Sequence, residues 1–248
     1  MEKLDYSRVE KVIVKWLQEK VAAAGARGAV FGLSGGIDSA VVAVLCQKAF
    51  GDNALGVIMP CYSNKEDVED GVLLAEAFGL NYLNRDLGPV LDQYLEILAE
   101  GGQREPGDLA LANMKPRLRM IALYYYAAKY NYLVVGTDNW SELKVGYFTK
   151  YGDGGVDINP LGRLVKAEVY ELARHLGIPE KIITKTPSAG LWQGQSDEEE
   201  MGISYPVLDH YILTGEASPE DKERIEGLAR KNAHKLQPVP VLAREELE

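Results

Sequence analysis

The stretch from Ala29 to Phe50 constrains the fold of this chain more than any other. Ala29-Val30-Phe31-Gly32-Leu33 is a short apolar run that suits a buried strand, and Ala40 to Phe50 is apolar enough for a buried helix. Between them lies Ser34-Gly35-Gly36-Ile37-Asp38-Ser39. Two glycines let a backbone approach an anion closely. The N–H groups that open a helix point at such a ligand, and the helix dipole favours its charge. Ser34 and Ser39 add hydroxyl donors. Asp38 would be repelled by phosphate alone and makes sense if it holds a Mg²⁺ that bridges the phosphates. The plainer alternative is a tight strand-to-helix turn with Asp38 as N-cap. The loop lacks the Gly-Lys-Ser/Thr of a Walker A motif and does not match G-x-G-x-x-G.

Further strand and helix signals alternate along the chain. Val9, Val12, Ile13, Trp16, Leu17 and Val21 recur at helical spacing, which predicts a helix over 5–24 that Gly25 and Gly28 end. Strands are predicted at 54–59, 80–83 and 132–136. Helices are predicted at 65–78, with Val68, Val72, Ala75 and Phe78 on one face, and at 90–98, 165–176, 204–213 and 218–232. A long helix over 110–130 turns Leu118, Ile121, Ala122 and Tyr125 inward, with Pro116 as its true start or a kink. Residues 101–107, 146–162 and 186–202 read as loops. This order predicts an α/β, doubly wound, mainly parallel sheet with helices on both faces, of Rossmann-like type. Ligands in such sheets bind beyond the carboxyl ends of the strands. The segments 34–39, 60–64 and 137–142 should therefore meet at one site.

Composition narrows the function classes. A net charge of −10 over 248 residues argues against non-specific nucleic-acid binding, which needs a basic surface. Local lysines and backbone N–H groups can still hold an anionic small ligand. No apolar run reaches the ~20 residues of a membrane span, and Met1 to Lys20 lacks a signal-peptide core. A cytoplasmic protein without membrane or nucleic-acid partners is expected. Two cysteines, Cys46 and Cys61, are too few for a disulfide framework or a zinc cluster.

Several motifs then carry a family resemblance. Ser34 to Ser39 resembles the signature of the ATP pyrophosphatases, the adenine-nucleotide alpha-hydrolase type of fold. Lys115-Pro116-Arg117-Leu118-Arg119-Met120, Gly136-Thr137-Asp138-Asn139-Trp140-Ser141-Glu142 and Phe148-Thr149-Lys150-Tyr151-Gly152-Asp153-Gly154-Gly155-Val156-Asp157 narrow it. So do Pro187-Ser188-Ala189-Gly190-Leu191, Gln195-Ser196-Asp197-Glu198 and His234-Lys235. In this order the motifs resemble the ammonia-dependent NAD synthetases. The resemblance implies that the nicotinate carboxylate of deamido-NAD attacks the α-phosphorus of ATP, pyrophosphate leaves, and ammonia converts the acyl-adenylate to NAD and AMP.

It also implies roles by position. Asp38 and Glu142 match Mg²⁺ ligands. Gly32, Leu33, Ser34, Gly35, Gly36, Ile37, Asp38, Ser39, Thr137, Lys166 and Ser188 match ATP contacts; the family often has Thr at position 188. Arg117, Lys150, Asp157, His234 and Lys235 match deamido-NAD contacts. Lys150 and Asp153 fall at the chemistry, Asp153 either as an acceptor for ammonium or as part of a turn. Glu142 alone reads as a surface helix carboxylate, Lys166 as a solvated helix start, and His234 and Lys235 as tail residues. The loop 186–202 is a candidate lid. A homodimer is implied, as is one synthetase domain over 1–248 with no glutamine amidase domain. Rival readings are a tRNA-thiolating or GMP-forming ATP pyrophosphatase and a non-catalytic adenine-nucleotide-binding module.

Overall fold

In the computed structural model, which describes residues 4–98, 108–188, 190, 192 and 194–247, helix α1 (Tyr6–Ala23) leads into strand β1 (Gly28–Gly32). Next come α2 (Ile37–Phe50), β2 (Ala54–Ile58), α3 (Lys65–Ala77), β3 (Asn81–Asn84), α4 (Gly88–Leu98), α5 (Leu109–Tyr130) and β4 (Tyr132–Val134). Then follow α6 (Trp140–Val145), α7 (Lys166–Leu176), α8 (Glu180–Ile183), α9 (Asp197–Met201), α10 (Tyr205–Thr214) and α11 (Pro219–Leu236). The loop expected over 101–107, and Ala189 and Leu191 of the 187–191 motif, lie outside the described residues.

The four strands pair in parallel in the order β3-β2-β1-β4. Register is set by Ala29 beside Ala54, Gly28 beside Tyr132 and Leu55 beside Asn81. Alternation along β1 serves two cores. Ala29 and Phe31 pack with Leu17 of α1, Leu45 of α2 and Leu172 of α7. Val30 faces the other way and packs with Val57, Val134 and Ala127 of α5. Helices on both sheet faces exclude water from β1, which is why that strand can be apolar throughout. After β3 the chain crosses to the far side of β1, so the winding reverses between β1 and β4. That reversal opens a crevice at the carboxyl ends of these strands.

Four details depart from the sequence reading. The start of α5 is Leu109, capped by the Asp108 carboxylate, which accepts from Ala110 N at 2.8 Å; the helix runs through Pro116. On that helix Ile121 and Tyr125 are 54% and 60% exposed, while Leu118 and Ala127 are buried. Apolar residues surround α5 almost completely, so their spacing did not decide its inner face. Val12 of α1 is likewise exposed, and α9 breaks the expected 186–202 loop.

Leu172 is wholly buried between α7 and the rest of the main core. Leu172→Ala should lower unfolding stability by about 2–5 kcal/mol, the range for a large-to-small core change. Exposed Val12→Ala should stay within about 0.5 kcal/mol. Urea unfolding followed by circular dichroism measures both.

Candidate functional site

The loop after β1 is closed by its own hydroxyls. Ser34 Oγ donates to Ser39 Oγ at 3.0 Å, and Ser39 Oγ donates to Gly36 O at 2.9 Å. Gly36 N donates to Ser34 Oγ at 3.2 Å, and Ser34 N to Ser39 Oγ at 3.2 Å. The N-cap of α2 is Gly36, with Asp38 in the first helical turn, so the reading of Asp38 as N-cap does not hold. Gly35 has φ +79°, and a Cβ there would strike the Asp67 carbonyl at the start of α3. Only glycine suits both demands.

Asp38 faces two partners brought from far along the chain. Lys166 Nζ donates to Asp38 Oδ2 at 2.6 Å, and Asn139 Nδ2 donates to Asp38 Oδ1 at 3.0 Å. Glu142 lies 3.6 Å from the same ammonium. A capping box at the start of α6 holds it there: Asn139 N donates to Glu142 Oε2 at 2.9 Å, and Glu142 N to Asn139 Oδ1 at 3.0 Å. Lys166 opens α7 with its side chain 2% exposed, so it is no solvated surface residue. The α7 start is fixed by α10: Asp209 accepts from Ala167 N at 2.8 Å and from Ser141 Oγ, while Ser141 Oγ accepts from Lys166 N at 3.1 Å.

Charge at this centre is unbalanced. Burial works against the Lys166 ammonium, yet Asp38 and Glu142 more than offset that and hold its pKa above the ordinary value. Burial and then the negative Asp38 push Glu142 up to about 8, against Lys166 and the Asn139 N–H. Asp138 is also raised, by burial and then by Asp153, Glu142 and Asp38. One ammonium among several carboxylates leaves room for more positive charge. Two carboxylate side chains with phosphate oxygens and water are a common shell for Mg²⁺, and Asp38 with Glu142 fit that need. Among the described residues no group of three or more His, Cys, Asp or Glu is arranged to hold a metal by itself.

A cavity of about 770 Å³ opens over this centre. Gly32, Leu33, Ser34, Gly36, Ile37, Asp38, Ser39, Thr137, Glu142, Asp153, Lys166, Ser188 and Lys235 all line it. Asp153 accepts from Thr149 N at 2.9 Å within the glycine-dense turn. Its surface opens onto the cavity, whose enclosing walls still raise its carboxyl. Lys235 donates to Gly146 O and Phe148 O, each at 2.8 Å. Gly35, Arg117, Lys150, His234 and Asp157 are off the cavity wall. Three of these form a run outside it: Arg117 Nη2 donates to Lys150 O at 3.4 Å, and Lys150 Nζ to His234 O at 2.6 Å. Asp157 accepts from Val134 N at 2.8 Å and Tyr124 Oη at 3.0 Å, against β4.

Sequence reading gives no role to Asn139, Ser141 or Arg119, which stand only as members of the family motifs, and does not mark Asp209. The Asn-x-x-Glu spacing of a capping box was the available signal for Asn139. Nothing local marks Asp209, which acts from 42 residues beyond Ala167.

A parallel sheet with a glycine- and serine-rich loop opening a helix at its winding reversal, facing an acid pair and a buried lysine, has the form of a nucleotide-binding α/β protein. The chain belongs to the NAD synthase family, which it matches over residues 9–239. It is 52% identical over 242 residues to an NH(3)-dependent NAD(+) synthetase of Carboxydothermus hydrogenoformans, covering 97% of this chain and 100% of that protein. Among solved structures it is similar to an NMN synthetase from Francisella tularensis, with TM-score 0.90 and 37% identity over 97% of this chain and 99% of that one. An NH3-dependent NAD synthetase from Campylobacter jejuni gives TM-score 0.80 and 33% identity over 97% of this chain and 100% of that one.

Gly35→Ala should strain the loop and push it against α3. Turnover should fall at least about tenfold while the thermal midpoint drops modestly, as for a lone αL substitution costing about 1–3 kcal/mol. Wild-type turnover in the variant, measured beside its melting curve, would contradict the rigid-loop account.

Proposed function

We propose that the protein amidates deamido-NAD with ammonia, using ATP and releasing AMP and pyrophosphate. The carrying observation is the 52% identity along the full cavity-forming chain to an NH(3)-dependent NAD(+) synthetase. The site chemistry supports the same reaction.

The ring carboxylate attacks the α-phosphorus of ATP, and the Pα–O–Pβ bond breaks as pyrophosphate leaves with its electron pair. Both reactants are anions, so the first task is to gather and neutralise charge. The amides of the Ser34–Ser39 loop and the α2 N-terminus receive phosphates. Lys166, held by Asp38 and Glu142, offers a fixed ammonium beside them. A Mg²⁺ held by Asp38 and Glu142 would draw off charge as pyrophosphate leaves. Thr137 and Ser188 supply hydroxyls on the cavity wall. Asp153 binds ammonium and takes a proton; the resulting ammonia attacks the acyl carbon, the C–O bond to AMP breaks with its electron pair on the AMP phosphate, and the nitrogen gives its second proton to water as the amide forms. Arg117, Lys150, Asp157, His234 and Lys235 serve the dinucleotide; all but Lys235 lie off this cavity wall, which suits a ligand that extends out to a second subunit of a homodimer. A single synthetase unit over these residues, working in the cytoplasm, completes the proposal. Cys46 gives no support to glutamine use: burial raises its thiol far above the ordinary value, opposite to what a nucleophile needs.

The purified protein should convert deamido-NAD, ATP and ammonium to NAD, AMP and pyrophosphate in equal amounts. Nicotinate mononucleotide is run beside deamido-NAD, since a similar structure is an NMN synthetase. Absence of pyridine-dependent pyrophosphate release would refute the reaction. Ammonia-free glutamine as sole nitrogen source should yield no NAD, and Cys46→Ala with Cys61→Ala should retain most activity.

Asp38→Asn should cut turnover by on the order of 10²-fold or more, the scale for losing one preorganised charge at a transition state. Its circular dichroism spectrum should match the parent. Turnover within a fewfold of the parent at ordinary Mg²⁺ would remove Asp38 from this role.

A further inference from the structure

The Lys115 to Met120 motif carries two arginines two residues apart on α5, a spacing that sends side chains to different sides of a helix. Arg117 is exposed and donates to Lys150 O outside the cavity. Arg119 turns into the cavity wall. Its Nε donates to Met59 O at 3.1 Å and its Nη2 to Ser63 Oγ at 3.2 Å. Both acceptors are neutral, and both lie at the exit of β2. A guanidinium has five N–H donors, so most of its donor capacity remains. Among the described residues no carboxylate pairs with it. Burial lowers its pKa, opposed by Cys61 and then by Asp153 and Asp67, which act on it without a hydrogen bond.

A cation removed from water without a counter-charge is costly. Two other cations on the cavity wall differ: Lys166 has Asp38 and Glu142, and Lys185 has Asp67 at 2.6 Å and Asp70 at 2.7 Å. Lys235, like Arg119, donates to neutral acceptors, the carbonyls of Gly146 and Phe148, and is read as a dinucleotide contact. An anion entering the cavity therefore finds Arg119 waiting.

Location decides which anion. Phosphates have the loop at the exit of β1, whereas Arg119 is pinned at the exit of β2. Gly152 packs against Pro116, and Gly155 against Met120, so the turn bearing Asp153 rests on the part of α5 that carries Arg119. The group that must come beside the ammonium acceptor is the reacting carboxyl. A planar fork of donors matches a carboxylate in two parallel hydrogen bonds.

We propose that Arg119 binds the ring carboxylate of the pyridine nucleotide substrate and so separates the substrate acid from the product amide. The proposal rests on the reaction given above. Once the carboxylate has become a neutral amide, the charge that held it is gone and the product is released more readily.

The test compares two ligands that differ only at that group. Calorimetric titrations of the purified full chain with deamido-NAD, NAD and ATP give three affinities for the parent and for Arg119→Gln. The variant should lose about ten- to a hundredfold in affinity for deamido-NAD, the scale of charge-assisted hydrogen bonds. Affinities for NAD and ATP should stay within about twofold, as for sites without direct contact. A merely structural arginine would weaken deamido-NAD and NAD equally. Equal losses, a loss confined to ATP, or no loss would overturn the proposal. If Arg119→Gln does not fold, Arg119→Lys carries the test: it keeps charge but not the fork, so the preference for deamido-NAD over NAD should shrink severalfold, and an unchanged preference would overturn the proposal. A parent that fails to make NAD would sink the reaction itself, before any variant is measured.

Discussion

The ammonium of Lys166 lies between Asp38 and Glu142, and much of the molecule is arranged to keep it there. Each of the three comes from a different place: the first turn after β1, the capping box after β4, and the first residue of α7. A buried ion pair gains little over an apolar contact, but removing one partner costs about 3–5 kcal/mol because the other charge is stranded. The arrangement is therefore poorly explained as a device for stability. It makes sense as a fixed electrostatic frame, with α10 supplying Asp209 to anchor α7 and Ser141.

That frame is deliberately acidic. The raised pKa values of Glu142 and Asp138 come first from burial and then from neighbouring carboxylates. Elsewhere in the cavity the balance reverses, with Arg119 and Lys235 facing neutral acceptors. One region invites cations and another invites anions. A reaction between two anionic substrates, followed by attack of ammonia, needs both.

How much of this was legible in the sequence depends on range. β1, its loop and α2 could be read because glycines, serines and an apolar strand sit within twenty residues of one another. The strand–helix alternation likewise gave the doubly wound class and the convergence of 34–39 with 137–142. The face of α5 could not be read, because Ile121 and Tyr125 are as apolar as the residues that pack inward. α8 and α9 are too short to show a period. Lys166 was reached only through family resemblance, since a lysine at a helix start is ordinarily solvated. Arg117 and Arg119 are indistinguishable as letters, and only the rotation of α5 sends one to solvent and the other to the cavity.

The distance in sequence between Asp38 and Lys166 has a kinetic consequence. Their contact closes a loop of 128 residues, and long loops are entropically slow to close. The loop after β1, by contrast, is held by hydrogen bonds spanning five residues or fewer. During folding the cradle can form early, while its acid stays in water until β4, α6 and α7 have docked. Nucleotide-binding competence is then a late event, and a chain that binds ATP tightly has already assembled nearly all of its sheet.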